Sequence, residues 1–326
     1  MESSISLLNS ELKVVVVTLN YNQNEYTLDC INSLLKSDYP NFEIALVDNG
    51  STTESFISLQ ESLPKDNRLK IYRLPKNLGY VGGINYGMES ADKLYADYQL
   101  IMNNDTLIDA DTIKELVITS EKYKGKAIVS GKVYNYDEKD TLQYIGQHFD
   151  PDNMLNQVSY IKNLREKDIG QYDREIEMGM LDDIFWMLSK EIFKKVGFYS
   201  DYFFLYGEQN DYGFRALNKG YKFIYTHKAK IWHKGGITTT TDGIKKSPRI
   251  YYWMAFASFK LAVLHFPQNK AKKFCRNWML RNYIKHFILS IIGKSSFKIL
   301  KAIYLANKNF KHWNKVRYLD NGYNPF

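Results

Sequence analysis

Two apolar runs in this chain stop abruptly on a carboxylate and small polar residues. They are Leu46-Val47-Asp48-Asn49-Gly50-Ser51 and Met102-Asn103-Asn104-Asp105. Buried parallel strands read as continuous apolar runs rather than alternating ones. In open α/β sheets, ligands bind beyond the carboxyl ends of such strands. Two strands that each deliver an Asp to that edge suit a polar ligand such as a phosphate ester with a metal ion. An Asp after a strand is also a common turn or cap residue, so neither position carries this reading by itself.

The rest of the first half supports an alternating pattern. Residues 13–18 read as a buried strand, because Val14 to Val17 is β-branched throughout. Residues 26–35 place Leu28, Ile31, Leu34 and Leu35 at helical spacing. A second strand covers 42–47, and Thr52 or Thr53 can cap the helix that follows. Residues 69–74 and 98–102 read as further strands, and Asn77 to Gly83 as a glycine-rich loop opening a helix over 84–91. Strand alternating with helix predicts an α/β fold, a mostly parallel, Rossmann-like sheet with helices on both faces. After a helix over 113–123, strands are expected at 127–134, 184–188, 223–226 and 230–233. The polar stretch 135–178 reads as loops, and helices are expected over 251–265, 270–292 and 296–309.

Charge divides the chain. Residues 243–326 hold 17 Lys/Arg against a single acid, Asp320, a net +16, so residues 1–242 carry −8 of the overall +8. The expected division is therefore a catalytic or binding domain over 1–242 and a basic helical segment over 243–326. In that segment Lys272, Lys273, Arg276, Arg281 and Lys285 interleave with Trp278, Phe287, Ile288 and other apolar residues. A basic amphipathic helix of this kind lies in an anionic membrane interface. The alternative is a helix packed on its own domain with a solvated basic face. Nucleic-acid binding is disfavoured, because no recognised motif is present. The two cysteines, Cys30 and Cys275, lack metal-ligand spacing and argue for a reducing, cytoplasmic setting. Neither a secretory leader nor an apolar run long enough to span a bilayer is expected. The oligomeric state, a homodimer included, stays open.

The first βα loop lacks the G-x-G-x-x-G fingerprint of a dinucleotide-binding domain. Instead, the ordered set of motifs resembles a bacterial family 2 glycosyltransferase, closest to its rhamnosyltransferase-like branch. The motifs are Val14-Val15-Val16-Val17-Thr18-Leu19-Asn20-Tyr21-Asn22, Leu46 to Ser51, Asn77-Leu78-Gly79-Tyr80-Val81-Gly82-Gly83-Ile84-Asn85 and Asn103-Asn104-Asp105. The likeness continues through Phe203 to Asp211, Arg215-Ala216, Gly220-Tyr221 and Trp232-His233-Lys234-Gly235-Gly236, about three quarters of the chain.

The resemblance implies a GT-A fold that binds a nucleoside diphosphate sugar. It implies that Asp48 holds the base, with Thr18 and Asn20 lining that pocket. Asn77, Gly79, Gly82 and Asn85 would run along the nucleotide and donor sugar. Asn103-Asn104-Asp105 stands where the family has its Asp-x-Asp metal motif. Asp105 and His233 would hold Mg²⁺ or Mn²⁺ beside the diphosphate, with Asn104 at the donor. The base that deprotonates the acceptor is expected among Glu208 and Asp211, because Gln209 occupies a position usually acidic and an amide is no base. Asp182-Asp183 is expected either at the acceptor pocket or in a solvated turn. The activity implied is inverting transfer from a UDP- or dTDP-sugar to a glycan or polyprenyl-diphosphate-linked acceptor in cell-surface polysaccharide synthesis. The enzyme would be peripheral at the inner membrane face, with rhamnose first among donors and UDP-hexoses next. The rival is a non-catalytic nucleotide-sugar or glycan-binding subunit, motivated by Asn103 and Gln209.

Overall fold

The computed structural model describes residues 11–150, 153–163, 165–235 and 247–326. The chain forms two compact units. One comprises Met1–Tyr199 with Arg215–Gly235, the other Ser200–Phe214 with Gly236–Phe326. The division expected at 242/243 lies outside the described residues, as does Gly236.

The first unit is built on four parallel strands in the order β3-β2-β1-β4. These are β1 (Val14–Asn20), β2 (Phe42–Asp48), β3 (Leu69–Arg73) and β4 (Tyr98–Met102). The helices α1 (Asn24–Leu34), α2 (Thr53–Ser62) and α3 (Gly79–Lys93) connect them. Alternation along β1 explains why both faces are covered. Val14 and Val16 join a core with Ile31 and Leu34 of α1 and Leu59 of α2. Val17 faces α3, which comes so near that a Cβ on Gly87 would lie 2.3 Å from Val17 Cγ1. Thr52 caps α2 by accepting from the Ser55 amide at 3.2 Å.

Beyond β4 the sheet becomes mixed. β12 (Phe185–Ser189) pairs antiparallel with β4 and with β6 (Ala127–Asn135). The segment whose polarity predicts loops instead contributes β7 (Thr141–Tyr144), β10 (Glu166–Lys167), β11 (Ile176–Met178) and the hairpin β8 (Gln147–Asp150) with β9 (Asn153–Ser159). Several of these strands are too short to show a two-residue period, and their order comes from partners distant in sequence. Residues 223–226 and 230–233 are not two strands. They belong to one strand, β13 (Lys222–His233), whose register against β6 shifts between Tyr225 and Lys230. β13 also pairs with β5 (Thr106–Ile108), which brings His233 to the edge where β4 ends. The helices α4 (Thr112–Lys122) and α5 (Lys190–Val196) complete the unit.

The second unit contains α7 (Pro248–His265), α8 (Gln268–Ile291) and α9 (Phe297–Val316), around Tyr252, Phe256, Phe259, Phe310 and Trp313. The preceding helix, α6 (Glu208–Asn218), starts in this unit and ends in the first. Lys260 is buried in the aromatic core. It donates to Asp320 at 2.6 Å and to the Tyr202 carbonyl at 2.5 Å, and sits 3.8 Å from the Phe256 ring centre. Burial pulls its pKa below the ordinary lysine value. Among the described residues, no helix is long and apolar enough to cross a membrane.

Candidate active site

The carboxyl edge of β1 and β2 is where the first motif lands. Asn20 and Asp48 are the last residues of their strands and pair in register. Asp48 is fully buried. Its Oδ1 accepts from Asn20 Nδ2 at 2.9 Å, and its Oδ2 accepts from the Ser51 amide at 3.2 Å. Arg73, the register partner of Asp48 in β3, brings Nε to 3.8 Å from Oδ2. Thr18 is buried on the same strand, and its hydroxyl has no hydrogen-bond partner among the described residues. A buried carboxylate needs such hydrogen bonds to remain charged.

The glycine-rich loop is braced by two asparagines. Asn49 donates to the Gly79 carbonyl at 2.9 Å and accepts from the Leu78 amide at 3.1 Å. Asn77 Oδ1 accepts from the Gly79 amide at 2.7 Å. Gly79 has φ +76°, a conformation that disfavours any side chain. Helix α3 already begins there, earlier than residue 84, so Gly82 and Gly83 are helical. Gly83 allows close packing: a Cβ would come within 2.9 Å of Leu19 Cδ1 and 3.2 Å of Asn49 Cγ. Asn85 exchanges hydrogen bonds with the Tyr199 backbone, both at 2.9 Å.

A hydrogen-bonded relay joins the two strand-end motifs. Asn104 donates to Thr27 Oγ1 at 2.8 Å, Thr27 donates to Asn20 Oδ1 at 2.9 Å, and Asn20 donates to Asp48. Thr27 sits on α1, so this link depends on a helix that carries no motif.

Asp105 and His233 come together. His233 Nε2 lies 3.2 Å from Asp105 Oδ1. On its other side, His233 Nδ1 is 2.6 Å from Gln143 Oε1. An amide oxygen only accepts, so Nδ1 donates to Gln143 and Nε2 is the ring nitrogen turned towards Asp105. A carboxylate oxygen and an imidazole nitrogen suit Mn²⁺ or Mg²⁺, and a hydrogen bond behind the imidazole is the usual way such a ligand is oriented. The described residues hold no group of three or more His, Cys, Asp or Glu side chains that could enclose a metal ion. Lys234 extends the edge: its amide donates to the Asp105 carbonyl at 3.0 Å, and its ammonium donates to Tyr26 OH at 3.0 Å.

Glu208 and Asp211 belong to the second unit. Both are buried, and Asp211 Oδ1 lies 2.8 Å from His265 Nε2, an ion pair when the ring is protonated. Arg215 donates to the carbonyls of Val196 and Phe198 at 2.7 and 2.8 Å.

Asp183 is buried, not a solvated turn residue. Its Oδ2 accepts from Tyr80 OH at 3.0 Å and from Tyr199 OH at 2.9 Å. The Asn103 amide donates to the Ile184 carbonyl at 2.9 Å, so this turn runs beside Asn103-Asn104-Asp105. Burial first, and the neighbouring Asp182 second, push the Asp183 carboxyl up to about 7.

A parallel α/β sheet that gathers carboxylates, amides and an imidazole at one strand edge has the architecture of a GT-A domain. Residues 14–197 match glycosyl transferase family 2, and the chain belongs to that family. It is 30% identical over 192 residues to the glycosyltransferase GlyG of Streptococcus pneumoniae serotype 4, covering 58% of this chain and 60% of that one. It is 30% identical over 107 residues to the poly(ribitol-phosphate) β-N-acetylglucosaminyltransferase TarS of Staphylococcus aureus, covering 32% of this chain and 18% of that one. The matches thus span less than two thirds of either relative. The crystal structure of TarS 1–349 superposes with a TM-score of 0.51 at 15% identity, over 81% of this chain and 69% of that one. The crystal structure of GalNAc-T7 with UDP, GalNAc and Mn²⁺ superposes with a TM-score of 0.57 at 13% identity, over 94% of this chain and 58% of that one. At these identities the structural likeness is one of fold.

Proposed function

We propose that the chain is an inverting, metal-dependent hexosyltransferase. It takes a sugar from a nucleoside diphosphate donor and adds it to a glycan or polyprenyl-diphosphate-linked acceptor in cell-surface polysaccharide synthesis, at the inner face of the membrane. The observation that carries this reading is the Asp105–His233 pair at 3.2 Å, with His233 oriented by Gln143, in a family 2 chain.

Each group has a task in this reading. Asp48, with Thr18 and Asn20, receives the base. The loop braced by Asn49 and Asn77 lies along the nucleotide and the sugar. Asp105 and His233 hold the metal, and Lys234 adds a cation for the diphosphate. The metal would neutralise charge developing on the leaving nucleoside diphosphate. Glu208 removes the proton of the attacking hydroxyl, and Asp211 orients the acceptor side through its contact with His265. Gln209 can bind a hydroxyl but cannot take its proton.

For the donor, the likeness to an N-acetylglucosaminyltransferase favours a UDP-hexosamine beside dTDP-rhamnose. A thermal-shift screen of nucleotide sugars with Mn²⁺ tests the reading, because a ligand that binds only the folded state raises its stability. The proposed donor raises the melting midpoint with Mn²⁺ and less so in EDTA. A screen in which no nucleotide shifts the midpoint sinks the proposal.

A further inference from the structure

Helix α8 presents its faces in an unusual order. Towards the helical core it turns Ala271, Trp278, His286 and Ser290. Trp278 packs edge-on against Phe259 at 5.3 Å, and His286 against Tyr251 at 4.7 Å. In the C-terminal half this inner face is polar, with His286 hydrogen-bonded to Ser295 at 3.0 Å and Asn282 to the Trp278 carbonyl at 2.9 Å.

The outer face is the apolar one. Leu280, Ile284, Phe287, Ile288 and Ile291 are 61, 50, 48, 53 and 65% exposed. Their spacing of i, i+4, i+7, i+8 and i+11 places them on a single stripe of a helix. Ile292, at the end of α8, and Phe297, at the start of α9, are exposed as well, at 55 and 60%. Soluble proteins seldom leave so contiguous an apolar surface in water unless something binds it.

Charge selects the occupant. Lys273 and Arg276 lie on the same face two turns and one turn earlier, and Arg281 and Lys285 flank the stripe. Between Ser247 and Leu319 there are 15 Lys/Arg and no Asp or Glu. A second copy seated symmetrically on this face would set cations against cations with no acid from these helices to match them. An anionic lipid surface matches both features, since headgroups take the cations and the acyl boundary takes the stripe.

We propose that the outer face of α8 is a docking surface for an anionic lipid bilayer, with Leu280, Ile284, Phe287, Ile288 and Ile291 entering the headgroup boundary. The inference deepens the membrane location proposed above and names its residues. Trp278, which the sequence pattern suggests as an anchor, is withdrawn into the helical core.

The test uses the full chain with vesicles of phosphatidylcholine alone and of phosphatidylcholine mixed with phosphatidylglycerol. The parent binds the mixed vesicles, and raising salt weakens this without abolishing it, because insertion of apolar side chains is not screened. The double variant F287S/I288S and, separately, K273E/R276E each lose roughly tenfold or more in vesicle affinity. Both keep the parent's melting midpoint and calorimetric affinity for UDP. No binding by the parent, equal binding by the variants, or unfolding of F287S/I288S overturns the proposal. So does a dimer, seen by sedimentation, that F287S/I288S dissociates. UDP binding, read on the same samples, reports separately on the nucleotide-site reading.

Discussion

Asn20 and Asp48 end neighbouring parallel strands, pair in register, and are joined by a 2.9 Å hydrogen bond. Because Asn20 also accepts from Thr27, and Thr27 from Asn104, the edge proposed to bind the base and the motif proposed to bind the metal form one connected network. A change at either end should therefore be felt at the other.

The nucleotide site gives the first expectation. Asp48→Ala should weaken UDP binding by roughly tenfold or more, since a hydrogen bond to a charged group contributes about 1.5–3 kcal/mol. It should also lower stability by about 1–3 kcal/mol, because the Ser51 amide loses its acceptor and Asn20 Nδ2 keeps only its 3.3 Å contact with Ser51 Oγ. Calorimetry and a denaturant titration read the two effects separately. An unchanged UDP affinity would remove Asp48 from the site.

Gln143 should matter although it touches no substrate in the proposed scheme. Its oxygen fixes which nitrogen of His233 faces Asp105. Gln143→Leu should weaken Mn²⁺ dependence about 10–100-fold, in line with losses on removing a group that orients a metal ligand. Gln143→Glu, which keeps an acceptor in place, should recover most of it. Equal Mn²⁺ titrations for all three proteins would show that the contact orients nothing.

The two acids of α6 should separate by phenotype. Glu208→Gln should lower turnover by roughly 10² or more with little change in donor affinity, as expected of a general base. Asp211→Ala should cost stability instead, about 3–5 kcal/mol if His265 is charged, because one partner of a buried pair is stranded. If Asp211→Asn stops turnover in a folded protein while Glu208→Gln is mild, the roles are reversed.

Asp183 gives the fold a pH dependence of its own. Its carboxyl is raised from an ordinary aspartate value to about 7, so the folded chain holds a proton there that the unfolded chain releases. That contribution is fully present below about pH 4 and is lost as pH rises through about 7. Asp183→Asn should therefore gain stability relative to the parent between these values. Parallel pH profiles of the melting midpoint would show that Asp183 ionises normally.

The strands that hold the site are legible from their residues alone. β1 opens on the unbroken apolar run Val14 to Val17, β2 and β4 are apolar runs interrupted once each, by Glu43 and Gln99, and Thr52 declares its cap. What is not legible comes from long-range pairing. Gln143 lies in a stretch whose polarity suggests a loop, 90 residues from its partner His233. His265 ends a helix 54 residues beyond Asp211. Thr27 looks like any helical threonine until the fold sets it between Asn20 and Asn104. The sequence leaves Asp183 open between an acceptor pocket and a solvated turn, because the tyrosines that bury it come from α3 and from Tyr199. The inner position of Trp278 was hidden for a similar reason. Aromatic and basic residues recur around the whole of α8, and only packing against Phe259 reveals which side is covered.

Transfer itself is the claim on which the rest depends. The direct measurement is release of nucleoside diphosphate from a panel of UDP- and dTDP-sugars, in Mn²⁺, in EDTA, and in EDTA with Mn²⁺ restored. The proposed chemistry predicts that at least one donor is turned over in Mn²⁺, that chelation abolishes release and that added metal recovers it, with Asp105→Ala inactive throughout. Release undiminished by chelator, or no release from any donor by a protein that still binds UDP, would contradict it; the latter would mark a nucleotide-sugar-binding subunit in place of an enzyme.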